Sequence, residues 1–252
     1  MIWVPGHFVE ASGLSDAWLA AATVVAAQPE RHMPHLVVRI ESPLSEDAGI
    51  RYRVDGLLAS FRLQGVDSVA NTIFPAVWAK DTPDPIDLAA DYRDHYPALK
   101  KLAGSTRGTY FGRMVAYPRA EGRAADQFNC TIKKLRQSNK PGKQRWTSTY
   151  EMSIYNEKMD GHAGLRGFPC MSHFAFHLHG TTLHACAQYR NQDIVERAYG
   201  NYVGLAKLQN FVAKAADLVP GALTVFAGHA YIPSGKRQRL HAVLRDCGAG
   251  RT

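Results

Sequence analysis

The sequence predicts an α+β fold, a single domain with a large mixed β-sheet flanked by helices, and three observations carry that expectation. Helix-like and strand-like segments interleave along the 252 residues. Two strand-like runs, Phe174 to His179 and Leu183 to Gln188, follow one another across a short turn, so at least part of the sheet is antiparallel. Hydrophobic residues make up 46% of the chain, enough for one sizeable core. No linker rich in Gly, Ser or Pro divides it, so one domain over residues 1–252 is expected.

Taken in order, Ser15-Asp16 precede the Ala-rich run Ala17 to Ala27 and supply an N-cap, which predicts a helix. His35 to Ile40 reads as a strand, while Ile50 to Phe61 follows neither period clearly. Ile86 to Leu102 has a loose helical period and many charges, as a surface helix does. Gly104 to Gly112, with its glycines and a Tyr-Phe pair, reads as a loop entering a strand. Phe128 to Gln137 is helix-like and is broken by Asn139-Lys140-Pro141-Gly142. Trp146 to Tyr155 alternates as a strand, and Lys158 to Gly167 reads as a loop. The hairpin turns at His179-Gly180-Thr181-Thr182. Ile194 to Leu218 places Val195, Ala198, Tyr202, Leu205, Leu208 and Val212 on one helical stripe. Pro220-Gly221 predicts a turn into a last strand, Leu223 to Ile232.

Lys and Arg number 30 against 22 Asp and Glu, a net charge of +8. That balance fits an anionic partner and equally a solvated basic surface. The four cysteines, Cys130, Cys170, Cys186 and Cys247, show no C-x-x-C spacing, which speaks against a disulfide scaffold and for a reducing cytoplasm. Ala17 to Ala27 is too short to span a bilayer and no basic n-region precedes it, so no membrane association is expected.

The stretch from Pro169 to Ile232 concentrates the chemistry. A neutral thiol is a poor nucleophile, and a neighbouring guanidinium favours its thiolate. Cys170 follows a proline and enters a strand; Arg190 ends the second strand of the hairpin, so both could reach one end of the sheet. Asn201 offers a donor and an acceptor suited to a pyrimidine edge. Taken alone, Cys170 also fits a small buried apolar residue, Arg190 an ion-pair partner of Asp193, and Asn201 a helix-surface residue.

Two rival patterns are weaker. His177 and His179 share a strand face, with His173 and His184 nearby, so a two-His metal site is geometrically possible. A zinc deaminase needs a second Cys after the P-C pair, where this chain has Met171-Ser172-His173. Histidines packed among polar neighbours, with no metal, are therefore expected. The basic run Lys133, Lys134, Arg136, Lys140, Lys143 and Arg145 fits a solvated helix face, with one or two members on a phosphate, better than a nucleic-acid surface.

Pro169-Cys170, Arg190, Asp193, Asn201 and Gly228 match, in identity and spacing, a pattern that resembles the thymidylate synthase superfamily. That family has a Pro-Cys nucleophile, a Gln-Arg-Ser-x-x-Asp run, an Asn in the following helix and a Gly-Asp-x-His-x-Tyr strand. Asp126-Gln127-Phe128, Tyr110-Phe111-Gly112-Arg113 and Trp78 extend the likeness upstream, whereas the first sixty or so residues match only in element order.

The resemblance implies that Cys170 adds to C6 of a pyrimidine 5′-monophosphate (dUMP, UMP or CMP). C5 would then receive a methyl or hydroxymethyl group from methylene-tetrahydrofolate. Arg190 would hold the phosphate and help ionise Cys170, Asn201 would read the N3/O4 edge, and Asp193 would order the site. Trp78 would line the folate site. Lys143 and Arg145 would reach the phosphate of a partner subunit in a homodimer.

The departures are specific. His229 and Tyr231 stand where the family has Asp and His, and Pro233 stands for its Tyr, which opens the sugar site to ribose. Asn191 replaces the Ser after the phosphate-binding Arg, Tyr189 the Gln before it, and Met171 the His after the nucleophile. The catalytic Glu has no counterpart nearer than Asp55, and the folate-capping tail is missing, which favours hydroxymethylation because water could reach the site. The alternative is a member with altered catalysis that binds a nucleotide, or acts on a different substrate, without folate.

Overall fold

The order of elements follows directly from where side chains can be buried and backbone ends capped. A computed structural model describes residues 7–102, 108–119, 122, 124–161 and 169–249. The elements run β1 (His7–Gly13), α1 (Leu14–Ala26), β2 (His32–Ser42), α2 (Ala48–Ser60), α3 (Val66–Asn71), α4 (Trp78–Asp81), α5 (Pro85–Leu102) and α6 (Tyr110–Val115). They continue with β3 (Tyr117–Pro118), β4 (Ala124–Ala125), α7 (Gln127–Ser138), β5 (Tyr150–Ser153), α8 (Glu157–Asp160), β6 (Met171–His179), β7 (Thr182–Tyr189) and β8 (Gln192–Asp193). Last come α9 (Tyr199–Ala215), β9 (Val219–Tyr231) and α10 (Arg237–Ala249). The mixed sheet has seven strands in the order β1-β2-β9-β7-β6-β5, with β8 beside β9. Among the described residues, no helix is long and apolar enough to cross a membrane.

The chain divides into two compact units. The first comprises Met1–Ala70, Gln188–Ala206 and Gly221–Thr252; the second comprises Asn71–Ala187 and Lys207–Pro220. In the first, β1 and β2 are parallel, β2 and β9 antiparallel, and β8 and β9 parallel. Helix α1 buries Leu14, Ala17, Trp18, Ala21, Ala22 and Val25. Its fully buried Trp18 donates Nε1–H to the Ile194 carbonyl at 2.9 Å, satisfying the one polar atom that burial would otherwise leave costly. Ile50, Val54, Leu57 and Leu58 form the buried stripe of α2 at i, i+4, i+7 and i+8, the helical period hidden in the segment that reads as mixed. Asp47 caps that helix by accepting the Ile50 N–H at 2.9 Å.

Burial along β2 slips by one residue, and this slip shapes the site. Leu36, Val38 and Ile40 are buried in alternation, yet so is Met33, and between them His35 has a left-handed φ of 55°. Across the pair, Leu223, Val225 and Ala227 are buried, and then Ala230. One residue out of phase, His32 on β2 and His229 and Tyr231 on β9 fall together on the less covered side.

The second unit is built on aromatic packing. Phe74, Phe111, Phe128 and Phe211 meet at centroid distances of 5.1 to 5.9 Å. Strands β5 and β6 pair antiparallel, and β6 turns into β7 through Gly180, whose φ of 59° suits glycine. Three expectations are corrected. Residues Tyr110–Val115 are a helix, not a strand: the Thr109 hydroxyl caps it by accepting the Gly112 N–H at 3.1 Å, and all of 111–115 are buried, so no single face is free for strand alternation. Glu157–Asp160 is a short helix capped by Asn156, where a loop is expected from Lys158; residues 162–167 of that segment lie outside the described residues. The turn after α9 comes before Pro220-Gly221, because Asp217 takes φ 55° and the Leu218 N–H returns to the Ala213 carbonyl at 2.8 Å. Pro220 and Gly221 are then part of β9.

Candidate active site

A polar cavity of about 440 Å³ opens in the first unit, lined by His32, Arg190, Asn191, His229 and Tyr231. Four of these, Arg190, Asn191, His229 and Tyr231, are residues that the sequence singles out. Backbone geometry brings them together. Gly228 lets the strand end approach: a Cβ there would stand 3.3 Å from the Arg190 carbonyl oxygen and 3.6 Å from that of Tyr189. Beyond this crossing, His229 and Tyr231 alternate onto one face of β9.

A hydrogen-bonded chain runs through the cavity wall. The Asn191 Oδ1 lies 2.8 Å from His229 Nδ1, and His229 Nε2 lies 2.8 Å from His32 Nδ1. The two imidazoles are 25° from coplanar with centroids 4.9 Å apart, so they meet edge to edge through their nitrogens. Burial, and then the neighbouring His32, hold the His229 imidazole below its ordinary pKa. None of the five lining residues is a carboxylate, and a guanidinium among imidazole, amide and phenol groups makes a donor-rich recess for an oxyanion.

Asp193 does a different task. Its Oδ1 accepts the N–H groups of Val195 and Glu196 at 2.9 and 2.8 Å, capping the π-helical turn Ile194–Ala198 that opens α9. Its Oδ2 accepts from Lys236 Nζ at 3.2 Å, and Lys236 also reaches Glu196 at 2.9 Å. Burial works to raise the Glu196 pKa, but Lys236 and Arg197 outweigh it and hold the carboxyl below its usual range. Asn201 is buried on α9 in the same unit. Sequence reasoning missed His32 and Lys236. Each stands in a segment with no motif, and each reaches the site only through tertiary structure.

The remaining sequence-predicted residues belong to the second unit. Cys170 is a half-buried free thiol immediately before β6. The start of β6 is held by the Met171 N–H donating to Tyr110 Oη at 3.4 Å, and by the Ser172 carbonyl accepting from Ile154 and Tyr155 at 3.0 Å each. Trp78 opens α4, half-buried, with Tyr92 and His95 set at 63° and 76° to its plane. Lys143 and Arg145 are exposed on the loop between α7 and β5. His177 and His179 are exposed on β6, and His173 pairs with Glu151. No group of three His, Cys, Asp or Glu poised for a metal occurs among the described residues.

Asp55 is a structural carboxylate here. It takes Arg51 Nε at 2.7 Å on one oxygen and the Val66 N–H at 3.0 Å on the other, tying α2 to the start of α3.

Comparison with known proteins places this geometry in context. Over 120 residues the chain is 26% identical to a protein of Methanococcoides burtonii named "Putative thymidylate synthase", covering 48% of this chain and 52% of that protein. The alignment thus spans about half the length of that relative. The family model described as thymidylate synthase matches residues 77–246, a span that takes in Trp78, Cys170, Arg190, Asn201 and the His229–Tyr231 strand. The chain belongs to the thymidylate synthase family.

Proposed function

We propose that the protein transfers a one-carbon unit to C5 of a pyrimidine nucleoside 5′-monophosphate through a covalent bond between Cys170 and C6. The observation that carries this reading is the cavity around Arg190, rich in donors and with no carboxylate among its described lining residues, within a chain of this family. In the proposed chemistry the Cys170 sulfur forms a bond to C6, and the electrons of the C5–C6 double bond move onto C5 and O4. C5 gains a bond to the one-carbon unit and loses its proton, and departure of the Cys170 sulfur restores the ring. Arg190 holds the 5′-phosphate, with Asn191 beside it. Asn201 reads the N3/O4 edge, for which its carboxamide has both a donor and an acceptor. Tyr231 and Pro233 stand at the sugar positions, with His229 beside them, and admit a ribonucleotide.

Methylene-tetrahydrofolate is the proposed source of the one-carbon unit, at the oxidation level of formaldehyde: with water as co-reactant it would supply a hydroxymethyl group and leave as tetrahydrofolate, and as its own hydride donor it would supply a methyl group and leave as dihydrofolate. Trp78, half-buried at the start of α4, is the proposed wall of the folate site. Asp193 fits as a positioning residue, since its oxygens hold two N–H groups and Lys236. The exposed Lys143 and Arg145 fit a role on the phosphate of a partner subunit in a homodimer. The reading takes residues 1–252 as one thymidylate synthase-like domain working in the cytoplasm.

Asp55 favours a second reading. Occupied by Arg51 and the Val66 N–H, it is poorly placed to move protons, which fits a member that binds a nucleotide without completing folate-dependent transfer. One experiment separates the two. The protein is incubated with dUMP, UMP or CMP tritiated at C5, with and without methylene-tetrahydrofolate, followed by tritium release and product mass. Release with a mass gain of CH2 or CH2O supports transfer and distinguishes methyl from hydroxymethyl. Binding of a nucleotide with neither release nor product supports the second reading and defeats the first.

A further inference from the structure

Helix α9 is entered through the π-helical turn Ile194–Ala198, and the phase of the helix depends on that turn. A π-turn closes i→i+5 and holds one more residue than an α-turn. One residue rotates an α-helix by about 100°. Every side chain after the turn, Asn201 included, faces a direction relative to β8 that changes if the turn relaxes to α. On its other side the helix fits α3 in one phase. A Cβ on Gly200 would stand 2.5 Å from Val69 Cβ and 2.9 Å from the Val66 carbonyl oxygen, so a glycine must face α3 there. Asn201 is the next residue, and it is buried. The extra residue of the π-turn joins β8 to that phase.

Three elements hold the turn. At the end of β8, Asp193 Oδ1 accepts the Val195 and Glu196 N–H groups at 2.9 and 2.8 Å. In α1, Trp18 donates Nε1–H to the Ile194 carbonyl. The third is Lys236, in the 3₁₀ turn Ser234–Lys236 that follows β9. Its ammonium reaches Asp193 Oδ2 at 3.2 Å and Glu196 Oε2 at 2.9 Å, on a side chain only 15% exposed. Arg197 meets Glu196 from the other side at 2.9 Å and reaches Gln64 at 3.1 Å. Two carboxylates this close repel, and the ammonium between them removes the repulsion. Burial works to lower the Lys236 pKa, but Glu196 and Asp193 outweigh it and hold it above its ordinary value.

We propose that Lys236 is a positioning residue of the candidate site: by neutralising Asp193 and Glu196 together, its ammonium holds the π-turn and so fixes the direction in which α9 presents Asn201. That Asn201 meets the base of a nucleotide rests on the function proposed above; the clamp does not. With the ammonium gone, the two carboxylates repel while both are charged, and a proton on either relieves them. The site then loosens at high pH and tightens as pH falls.

The test compares the wild type with Lys236→Met, Lys236→Arg and the double variant Lys236→Met/Glu196→Gln. NMR follows the Val195 N–H, the Asn201 side-chain amide and the Glu196 carboxyl, and calorimetry gives the affinities for dUMP, UMP and CMP at pH 8 and pH 6. Lys236→Met is expected to shift the Val195 and Asn201 resonances and to move the Glu196 midpoint upward. It is expected to weaken nucleotide binding about tenfold at pH 8 and less at pH 6. Lys236→Arg and the double variant are expected to bind within about threefold of the wild type, because one keeps the cation and the other removes the repulsion. A Lys236→Met protein whose Val195 and Asn201 resonances stay in place, or a double variant no better than the single one, overturns the proposal. If Lys236→Met does not fold, the double variant decides: it is expected to fold and bind, and its failure to fold overturns the proposal too. A wild type that binds none of the three nucleotides, with the resonances responding as expected, would defeat the nucleotide reading and leave the clamp standing.

Discussion

Two arginines in this protein show how a neighbourhood assigns a task to one side chain. In the second unit, Arg113 and Asp160 are both nearly inaccessible, and the guanidinium bonds the carboxylate through two nitrogens, with the Ile154 carbonyl as a third partner. Asp160 also accepts the Asn156 N–H at 2.9 Å. That guanidinium is locked, and its work is to hold α6 against α8. In the first unit, Arg190 is exposed and lines a cavity whose other walls are imidazole, amide and phenol. Guanidinium chemistry is identical in the two places. The surroundings differ: a buried carboxylate partner makes Arg113 structural, whereas the described lining of the Arg190 cavity is imidazole, amide and phenol, which suits the ligand-binding task proposed for it.

This comparison can be tested, beginning with the largest effect. Cys170→Ala is expected to cut C5 tritium release by roughly 10⁴-fold or more while leaving nucleotide affinity at Arg190 nearly intact, measured by release assay and calorimetry. Equal loss of both would mean that the thiol supports the fold and not the chemistry. Arg113→Met leaves Asp160 buried without its cation and is expected to cost about 3–5 kcal/mol in urea unfolding, whereas Arg190→Met should change stability by about 0.5 kcal/mol or less. Similar costs at both positions would erase the distinction drawn above. Arg190→Lys keeps the charge and removes the fork, so the KM for the nucleotide should rise about tenfold, about 1.4 kcal/mol, with an unchanged urea midpoint.

The smallest effect lies at Glu196. Its folded-state pKa is depressed, so its contribution to stability is present above the unfolded value of about 4.3 and is lost as pH falls through the lower folded value. Thermal unfolding between pH 5 and 3 should therefore steepen in the wild type and flatten in Glu196→Gln. A variant whose profile overlays that of the wild type would mean that Lys236 contributes nothing through this pair.

Much of this was legible along the chain, and the particular elements show why. Helices α1, α7 and α9 and the β6–β7 hairpin announce themselves through periodicity and turn residues that are local in sequence. The expected Ser15-Asp16 cap is corrected: α1 begins at Leu14 after Gly13 with no side-chain cap, and the Ser15 hydroxyl instead meets Tyr199 and the Asp47 N–H. Helix α2 carried its stripe too, but Tyr52, Arg53 and Gly56 among the apolar residues blurred it. Helix α6 was hidden because burial on all sides removes the amphipathic signal. Asp217 ended α9 through a left-handed backbone that side-chain identity scarcely encodes, so the more conspicuous Pro220-Gly221 drew the turn instead.

Residue chemistry and spacing over one contiguous stretch suffice for the α+β class, the kinship and the group Arg190, Asn191, His229 and Tyr231, because those signals are read within a few turns of helix or strand. The sequence alone left open that His32 would meet His229, a partner 197 positions away, or that Lys236 would close on Asp193. Strand register and the phase slip at His35 decide such meetings. Register is a property of two strands together, settled by which apolar faces the whole fold can bury at once.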